Sequence, residues 1–179
     1  MSDMWLPEDQ DPRMEAEQPR GERAVVLQYL RFYRRTLELK CQGLDAEQLA
    51  RRAVPPSTMS LLGLLRHLAG VEQSWNRRAL QGHHDIPRLE VASRPDEPDW
   101  DFLGAEPTDE CVEQAWAAWR EEVADAEAWL EQDDFDRVVD VRGDDVEVRD
   151  IAVHLVEEYA RHCGHADLLR ECIDGRTGQ

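Results

Sequence analysis

The last predicted helix carries four ionisable side chains on the face that a helical protein normally buries. His154, Glu158 and His162 are spaced four residues apart, so an α-helix places them one turn apart on one face, with His165 beside them. The same face carries apolar residues on both sides of this cluster: Ile151, Leu155, Leu169 and Ile173. Burying a polar group without a partner costs about 2–7 kcal/mol, and a charge costs more. A metal ion held by Glu and His side chains is the simplest way to compensate that cost.

The composition predicts one globular domain with a strongly negative surface. A chain of 179 residues, 41% of them hydrophobic and 34% charged, can bury a substantial core beneath a solvated exterior. Asp and Glu number 39 against 21 Lys and Arg, which gives a formal net charge of −18. Phosphate backbones repel such a protein, so we expect no nucleic-acid partner.

The cysteines and the N-terminal region indicate a reduced, cytoplasmic setting. Cys41, Cys111, Cys163 and Cys172 form no Cys-x-x-Cys pair and lack the density of a disulfide-stabilised secreted module. The first residues contain no hydrophobic signal core. No apolar run approaches the roughly 20 residues needed to cross a bilayer, so we expect no membrane partner.

Hydrophobic periodicity predicts four helices of similar length. The apolar positions recur at helical spacing over residues 22–42, 60–81, 109–132 and 149–172. Ser57, Thr58 and Ser60 are the candidate caps of the second helix. Because there is no repeat of fixed period, this pattern predicts an all-α four-helix bundle with long crossover loops.

Three segments outside these helices have a distinct composition. Residues 1–21 are rich in proline and acidic residues and predict an extended N-terminal arm that wraps the domain formed by residues 22–179. Residues 83–107 contain four prolines and predict an ordered loop that is longer than most. Between 137 and 148, two short valine-rich stretches flank a turn sequence, which predicts a small hairpin before the last helix.

A divalent metal site in a bundle draws its ligands from facing helices. Glu158 and His162 supply two donors from the last helix. His67 is the only histidine in a predicted helix outside the last one, since His83 and His84 fall in the following loop. His67, Glu158 and His162 therefore form a candidate set of two histidines and one carboxylate, which leaves open positions for water or substrate.

Each candidate ligand also has an interpretation without a metal. His67 is equally explained as a partly buried histidine hydrogen-bonded to a backbone carbonyl. Glu158 is explained as the partner of Arg161 or Arg66 in a salt bridge. The whole polar cluster is then a satisfied hydrogen-bond network that binds no ion.

Other residues near the cluster are candidates for supporting roles. We expect His154 and His165 to line the pocket, to orient the ligands or to relay protons. Trp75 lies on the predicted helix of His67 and is a candidate for lining a cofactor pocket, although most tryptophans fill cores. Cys163 points away from the metal face and is expected to act as a small buried hydrophobe.

Two segments of the chain resemble a known family. Residues 54–75, which end in Leu-Leu-Arg-His67-Leu-Ala-Gly-Val-Glu-Gln-Ser-Trp75, and residues 154–171 resemble the two signature helices of the DinB-like family. More narrowly, they resemble its actinobacterial branch of small proteins, and the likeness runs from about Glu22 to the C-terminus. The resemblance implies a four-helix bundle with a divalent metal bound by His67, Glu158 and His162.

The resemblance also implies a class of chemistry. Many relatives have histidine at the position of Glu158, whereas the mycothiol-dependent maleylpyruvate isomerase branch is similar to this chain in having glutamate. Relatives of known activity are transferases or isomerases that use mycothiol, bacillithiol or glutathione, commonly with zinc or another divalent ion. A low-molecular-weight thiol, a small electrophile and zinc are therefore the implied cofactor, substrate and metal, with nickel, iron or manganese as alternative metals. A homodimer is left open.

The leading hypothesis is a metal-dependent transferase or isomerase that uses a mycothiol-like thiol on a small electrophile. Coordination to a metal lowers a thiol pKa, so a thiolate nucleophile exists at neutral pH. A second hypothesis uses the same ligand set for non-haem oxidative chemistry. The third is a non-catalytic stress-response protein in which the metal is structural.

Overall fold

The chain is mostly helical in the computed structural model, which describes residues 5–14, 18–89, 97 and 99–178. In chain order, the helices are α1 (Glu22–Cys41), α2 (Ala46–Ala50), α3 (Leu61–Glu72), α4 (Trp100–Leu103), α5 (Asp109–Leu130) and α6 (Val148–Asp174). A π-helical segment, Gln73–Leu80, continues α3, and Glu8–Gln10 forms a short 3-10 turn. Strands β1 (Val138–Val141) and β2 (Asp144–Glu147) pair antiparallel. Among the described residues, no helix combines the length and apolarity needed to cross a membrane.

The predicted long helices and hairpin are confirmed. Each predicted helix agrees with the observed one to within two residues at either end, when α3 and the π segment are counted together. Helices α2 and α4 were not predicted because four or five residues are too few to establish a periodicity. Helix α4 interrupts the predicted loop over 83–107, of which residues 90–96 and 98 lie outside the described residues.

Side chains and tertiary contacts define where the long helices begin and end. The Ser60 hydroxyl accepts a hydrogen bond from the Gly63 amide at 3.0 Å, so Ser60 is the cap among the three candidates. Helix α6 lacks a side-chain cap, and its first amides instead donate to the carbonyls of Phe135 and Arg137. The segment before the hairpin thus satisfies amides that would otherwise lack a partner.

Helix α3 lies at the centre of the packing. It packs along α5 and also contacts α6 and α1, while α1 packs along α6. Its leucines are almost completely buried: Leu61, Leu62, Leu64, Leu65 and Leu68. Because α3 packs between other helices, a polar side chain on it, such as His67, is largely surrounded by protein.

A buried polar network crosses the core beneath the last turn of α3. The Arg34 guanidinium donates to both carboxylate oxygens of Glu72, at 2.8 and 2.7 Å. The Tyr159 hydroxyl donates to Glu72 Oε1 at 2.8 Å and accepts from Trp119 Nε1 at 2.8 Å. Burial, followed by the Glu72 charge, raises the pKa of Tyr159, so the phenol keeps its proton. The network joins α1, α3, α5 and α6.

The π segment changes the direction in which side chains leave the helix after Glu72. Its last turn is closed by the Gln81 amide donating to the Asn76 carbonyl at 3.0 Å, five residues earlier. Arg77 then reaches Glu122 on α5, with Arg77 Nε 2.6 Å from Glu122 Oε2. Trp75, two positions before Arg77, points away from α5 and toward α6, where it contacts His154.

The described part of the N-terminal arm packs against the second half of α1 and against the end of α6 and the residues that follow it. Trp5 is buried, and three cations surround its ring: Lys40, Arg170 and Arg176. Arg176 also donates to the Trp5 carbonyl at 3.2 Å. Further along the arm, Arg13 pairs with Asp11 and donates to Thr36 on α1 at 3.2 Å. Residues 1–4 and 15–17 of the predicted arm lie outside the described residues.

Removing the Glu72 carboxylate is expected to destabilise the fold strongly. Glu72→Ala removes the only buried counter-charge that the described residues provide for the Arg34 guanidinium, which costs about 3–5 kcal/mol of unfolding free energy. Tyr159→Phe removes one neutral donor and is expected to cost about 1–2 kcal/mol. Urea denaturation followed by circular dichroism measures both values.

Glu127 provides the matched control for this experiment. Its carboxylate lies 3.4 Å from Arg34 Nη1, but its side chain is 41% exposed. Glu127→Ala is therefore expected to change the unfolding free energy by less than about 1 kcal/mol. Equal losses for Glu72→Ala and Glu127→Ala would contradict a structural role of the buried pair.

Candidate metal centre

The three predicted ligands converge between α3 and α6. One ligand atom from each of His67, Glu158 and His162 lies within 4.8 Å of the other two, and the described residues contain no other cluster of this kind. Glu158 Oε2 is 3.9 Å from His67 Nε2 and 3.4 Å from His162 Nε2. Donors bound to a tetrahedral zinc at 2.0–2.1 Å lie about 3.4 Å apart. The spacing of the three donors therefore suits a divalent cation.

A carboxylate fixes the orientation of His67. Asp101 Oδ2 lies 2.7 Å from His67 Nδ1, a hydrogen-bond distance. Because the carboxylate only accepts, Nδ1 carries the proton and the lone pair of Nε2 points toward Glu158. The interpretation in which a backbone carbonyl satisfies His67 is wrong, since its partner is this carboxylate.

The close approach of α4 to α3 depends on a glycine one turn before His67. A Cβ atom on Gly63 would lie 2.9 Å from Phe102 Cδ1 and 3.2 Å from Phe102 Cα, so a larger residue would push α4 away. The Phe102 ring then stacks on the His67 imidazole, with centroids 5.4 Å apart. The missing side chain at position 63 thus allows α4 to cover the centre.

Arg66 anchors α4 in the same place through its backbone. Its Nε donates to the Asp101 carbonyl at 2.9 Å and its Nη2 donates to the Trp100 carbonyl at 3.1 Å. Sequence reasoning missed Asp101 because several acids occur together in this segment and local spacing does not distinguish one of them. Arg66 is therefore a partner of α4 and not of Glu158.

His162 is the most deeply buried of the three candidate ligands. Burial, followed by the neighbouring His67 and His165, lowers the pKa of His162 to about 4. The imidazole is therefore neutral at pH 7, as metal ligation requires. Its Nδ1 lies 3.3 Å from His165 Nδ1. In the tautomer in which His162 Nδ1 donates to His165, the lone pair of His162 Nε2 is directed at Glu158.

Glu158 faces imidazoles instead of an arginine. Arg161, a predicted alternative partner, pairs with Glu157 at 3.4 Å, and no described Lys or Arg lies within ion-pair distance of Glu158. In the tautomers that can ligate a metal, the lone pairs of both histidines converge on an anionic oxygen. A cation at this point removes the repulsion between these lone pairs and the oxygen.

The remaining predicted site residues lie around the three ligands. His154 Nε2 is 3.4 Å from Glu158 Oε1, and its ring lies 4.6 Å from the Trp75 ring. His165 lies on the other side of the centre, against His162. Trp75 also lines a cavity of about 520 Å³ between the π segment and the hairpin. His154 is thus the histidine between the ligands and this cavity.

A comparison with models of known protein families identifies the family of this chain. A family model described as mycothiol-S-transferase matches residues 25–175. The chain belongs to the mycothiol-S-transferase family. The matched range includes the three candidate ligands and Asp101, and it is consistent with the DinB-like resemblance. No curated protein matches the chain.

Three of the protein's four cysteines are poorly placed to act as the sulfur nucleophile of such a family. Burial raises the pKa of Cys41 and of Cys163 to about 12. Cys163 Sγ donates to the Tyr33 carbonyl at 3.5 Å, which confirms the prediction that it points away from the centre. Cys172 is exposed but lies near the end of α6.

Iodoacetamide at pH 8 is expected to alkylate Cys172 of the native protein at least about 100-fold faster than Cys41 or Cys163. A thiol with a pKa of about 12 is only about 0.01% ionised at this pH, whereas an ordinary thiol is about one quarter ionised. Peptide mass spectrometry over a time course measures each rate. Urea-unfolded protein is the control and should label all three sites alike; similar native rates at these sites would contradict their burial.

Proposed function

We propose that this protein transfers a low-molecular-weight thiol, with mycothiol as the first candidate, onto a small electrophile at a divalent metal centre. The observation that carries the proposal is the convergence of His67, Glu158 and His162 in a chain of the mycothiol-S-transferase family. In this proposal α1, α3, α5 and α6 form the DinB-like four-helix bundle that holds the centre. Zinc is the first candidate for the metal, with nickel, iron and manganese as alternatives.

The number of donors supports a catalytic ion over a structural one. Structural zinc sites are closed by four protein ligands, whereas catalytic sites use three and keep a position for water or substrate. Among the described residues, only three donors share the cluster. Open coordination positions are what a thiol needs in order to reach the ion.

Each neighbouring residue has a defined task in this proposal. A divalent ion bound there lowers the pKa of a thiol cofactor, so that the thiolate is available at neutral pH. Asp101 holds His67 in the tautomer that ligates through Nε2. His165, in contact with His162 Nδ1, orients that ligand in the same way.

His154 is the proposed proton acceptor. The thiol sulfur forms a bond to the electrophilic carbon, the leaving group departs with the electrons of the broken bond, and the thiol proton passes to the imidazole of His154. The His154 side chain is 35% exposed and contacts Trp75 at the cavity wall, so it can exchange its proton with solvent. His165 is the second candidate for this role. Trp75 is proposed to contact the bound thiol cofactor or substrate.

Non-haem oxidative chemistry is the second candidate function. Two histidines and one carboxylate are also the ligand set of non-haem Fe(II) oxygenases. Iron-dependent oxygen uptake by anaerobically purified protein would favour this candidate. Bound zinc together with thiol transfer would remove it.

Elemental analysis of gently purified protein is expected to find about one divalent ion per chain and almost none in Glu158→Ala. Asp101→Asn should weaken metal affinity about 10–100-fold, because His67 loses the acceptor that fixes its tautomer. Competition with a chelator of known affinity measures the change.

Asp99→Asn is the matched control, because this exposed residue makes no side-chain cap of α4. Its metal affinity should equal that of the unaltered protein. Full metal content in Glu158→Ala would contradict the proposed metal centre.

Metal-loaded protein is expected to couple mycothiol to monochlorobimane, with a fluorescence increase that a chelator abolishes. His154→Gln should lower kcat about 10²-fold or more while metal content is retained, because it removes the proton acceptor. His83→Gln, at an exposed histidine, is the control. If mycothiol, bacillithiol and glutathione all react at the uncatalysed rate while metal is bound, thiol transfer is not the function.

A further inference from the structure

The cavity beside Trp75 has a composition unlike that of the rest of the chain. It has a volume of about 520 Å³, and its charged lining residues are Arg78, Arg88, Arg142, Asp140 and Asp144. Three arginines against two aspartates give a positive balance, in a chain whose formal net charge is −18. A local excess of cations inside an acidic protein favours an anionic ligand.

The arginine side chains that line this cavity have guanidinium N–H groups without a hydrogen-bond partner among the described residues. Within the part of the chain that the structure describes, neither Arg88 nor Arg142 forms an ion pair or a hydrogen bond. Arg78 Nη1 donates to the Ile86 carbonyl, and its other guanidinium nitrogens make no hydrogen bond to described residues. Asp140 Oδ1 accepts from the Gly143 amide at 3.3 Å and so serves the turn.

The backbone of Arg142 adds a second observation. It occupies the first position of a two-residue hairpin turn with φ 60°, and Gly143 follows with φ 95°. Both positions of such a turn favour Gly, Asn or Asp, so the turn itself does not call for arginine. A residue whose backbone is held in an unfavourable conformation at the rim of a cavity is typical of a functional position.

We propose that this cavity binds the carboxylate of the electrophilic substrate, so that the preferred electrophiles are small planar carboxylates. The inference rests on the proposed thiol transfer and names its substrate class. Arginine donors match a carboxylate in geometry and charge, and the Trp75 ring offers a flat wall beside it. Because Trp75 also contacts His154, a substrate anchored in the cavity extends its reactive carbon toward the centre.

Steady-state kinetics with a matched pair of electrophiles test the inference. In 4-chloro-3-nitrobenzoate and its methyl ester, the thiolate sulfur bonds to the ring carbon, chloride leaves with the electrons of the carbon–chlorine bond, and the thiol proton passes to His154. After correction for uncatalysed rates, kcat/KM should be about tenfold or more higher for the carboxylate. Arg142→Gly, which suits the turn, should abolish this preference by lowering kcat/KM for the carboxylate to the value for the ester.

Binding measured without turnover provides an independent readout. Isothermal titration with 3-nitrobenzoate, which has no leaving group, should show a Kd about tenfold higher for Arg142→Gly and for Arg88→Gln. Arg120→Gln, at an exposed arginine of α5, should bind as the unaltered protein does. Glu158→Ala should also retain binding, because arginines and not the metal hold the carboxylate.

The outcomes separate this inference from the proposed function. Equal kcat/KM values for acid and ester, or unchanged 3-nitrobenzoate affinity in both arginine variants, would overturn the carboxylate site while thiol transfer to the ester still stood. Loss of 3-nitrobenzoate binding in Glu158→Ala would also overturn it, since the metal would then be the anchor. Arginine-dependent binding without turnover of either electrophile would support the site and count against thiol transfer.

Discussion

The buried contact between Glu72 and Tyr159 determines how the two ligand-bearing helices meet. Glu72 ends α3 five residues after His67, and Tyr159 directly follows Glu158 on α6. A slip of either helix by one turn would separate the phenol from the carboxylate, and a slip of α3 would also take Arg34 away from its buried counter-charge. The register that satisfies this network is also the register that brings His67 opposite Glu158 and His162. The stability of the core and the geometry of the centre are therefore set by the same contact.

In the cluster of candidate ligands, each histidine has a neighbour that contacts one particular ring nitrogen. Asp101 contacts the outer nitrogen of His67, and His165 contacts that of His162. Both inner nitrogens then face one oxygen of Glu158. A histidine that ligates a metal needs a partner for its other ring nitrogen, because a ring that is free to rotate directs its lone pair at the metal only part of the time. The apolar ring of Phe102 limits the access of water to this arrangement.

The sequence predicted those parts of the molecule that depend on local periodicity. The long helices, the hairpin and the helical pair Glu158 and His162 follow from spacing, and His67 follows from the rule that ligands come from facing helices. The role of Asp101 was not predictable, because it depends on a chain crossing that only the absence of a side chain at Gly63 allows. The π segment was read as ordinary helix, since its extra residue per turn is stabilised by tertiary contacts such as Arg77 with Glu122.

The cations around Trp5 link the two ends of the chain. Arg176 holds both the ring and the carbonyl of Trp5 across a sequence separation of 171 residues. Closing so long a loop costs little more entropy than closing a short one, since the cost grows only with the logarithm of length. Fraying of the N-terminal segment removes the partner of Arg176, and fraying of the C-terminal segment removes one of the three cations around Trp5. Opening at one end of the chain therefore favours opening at the other.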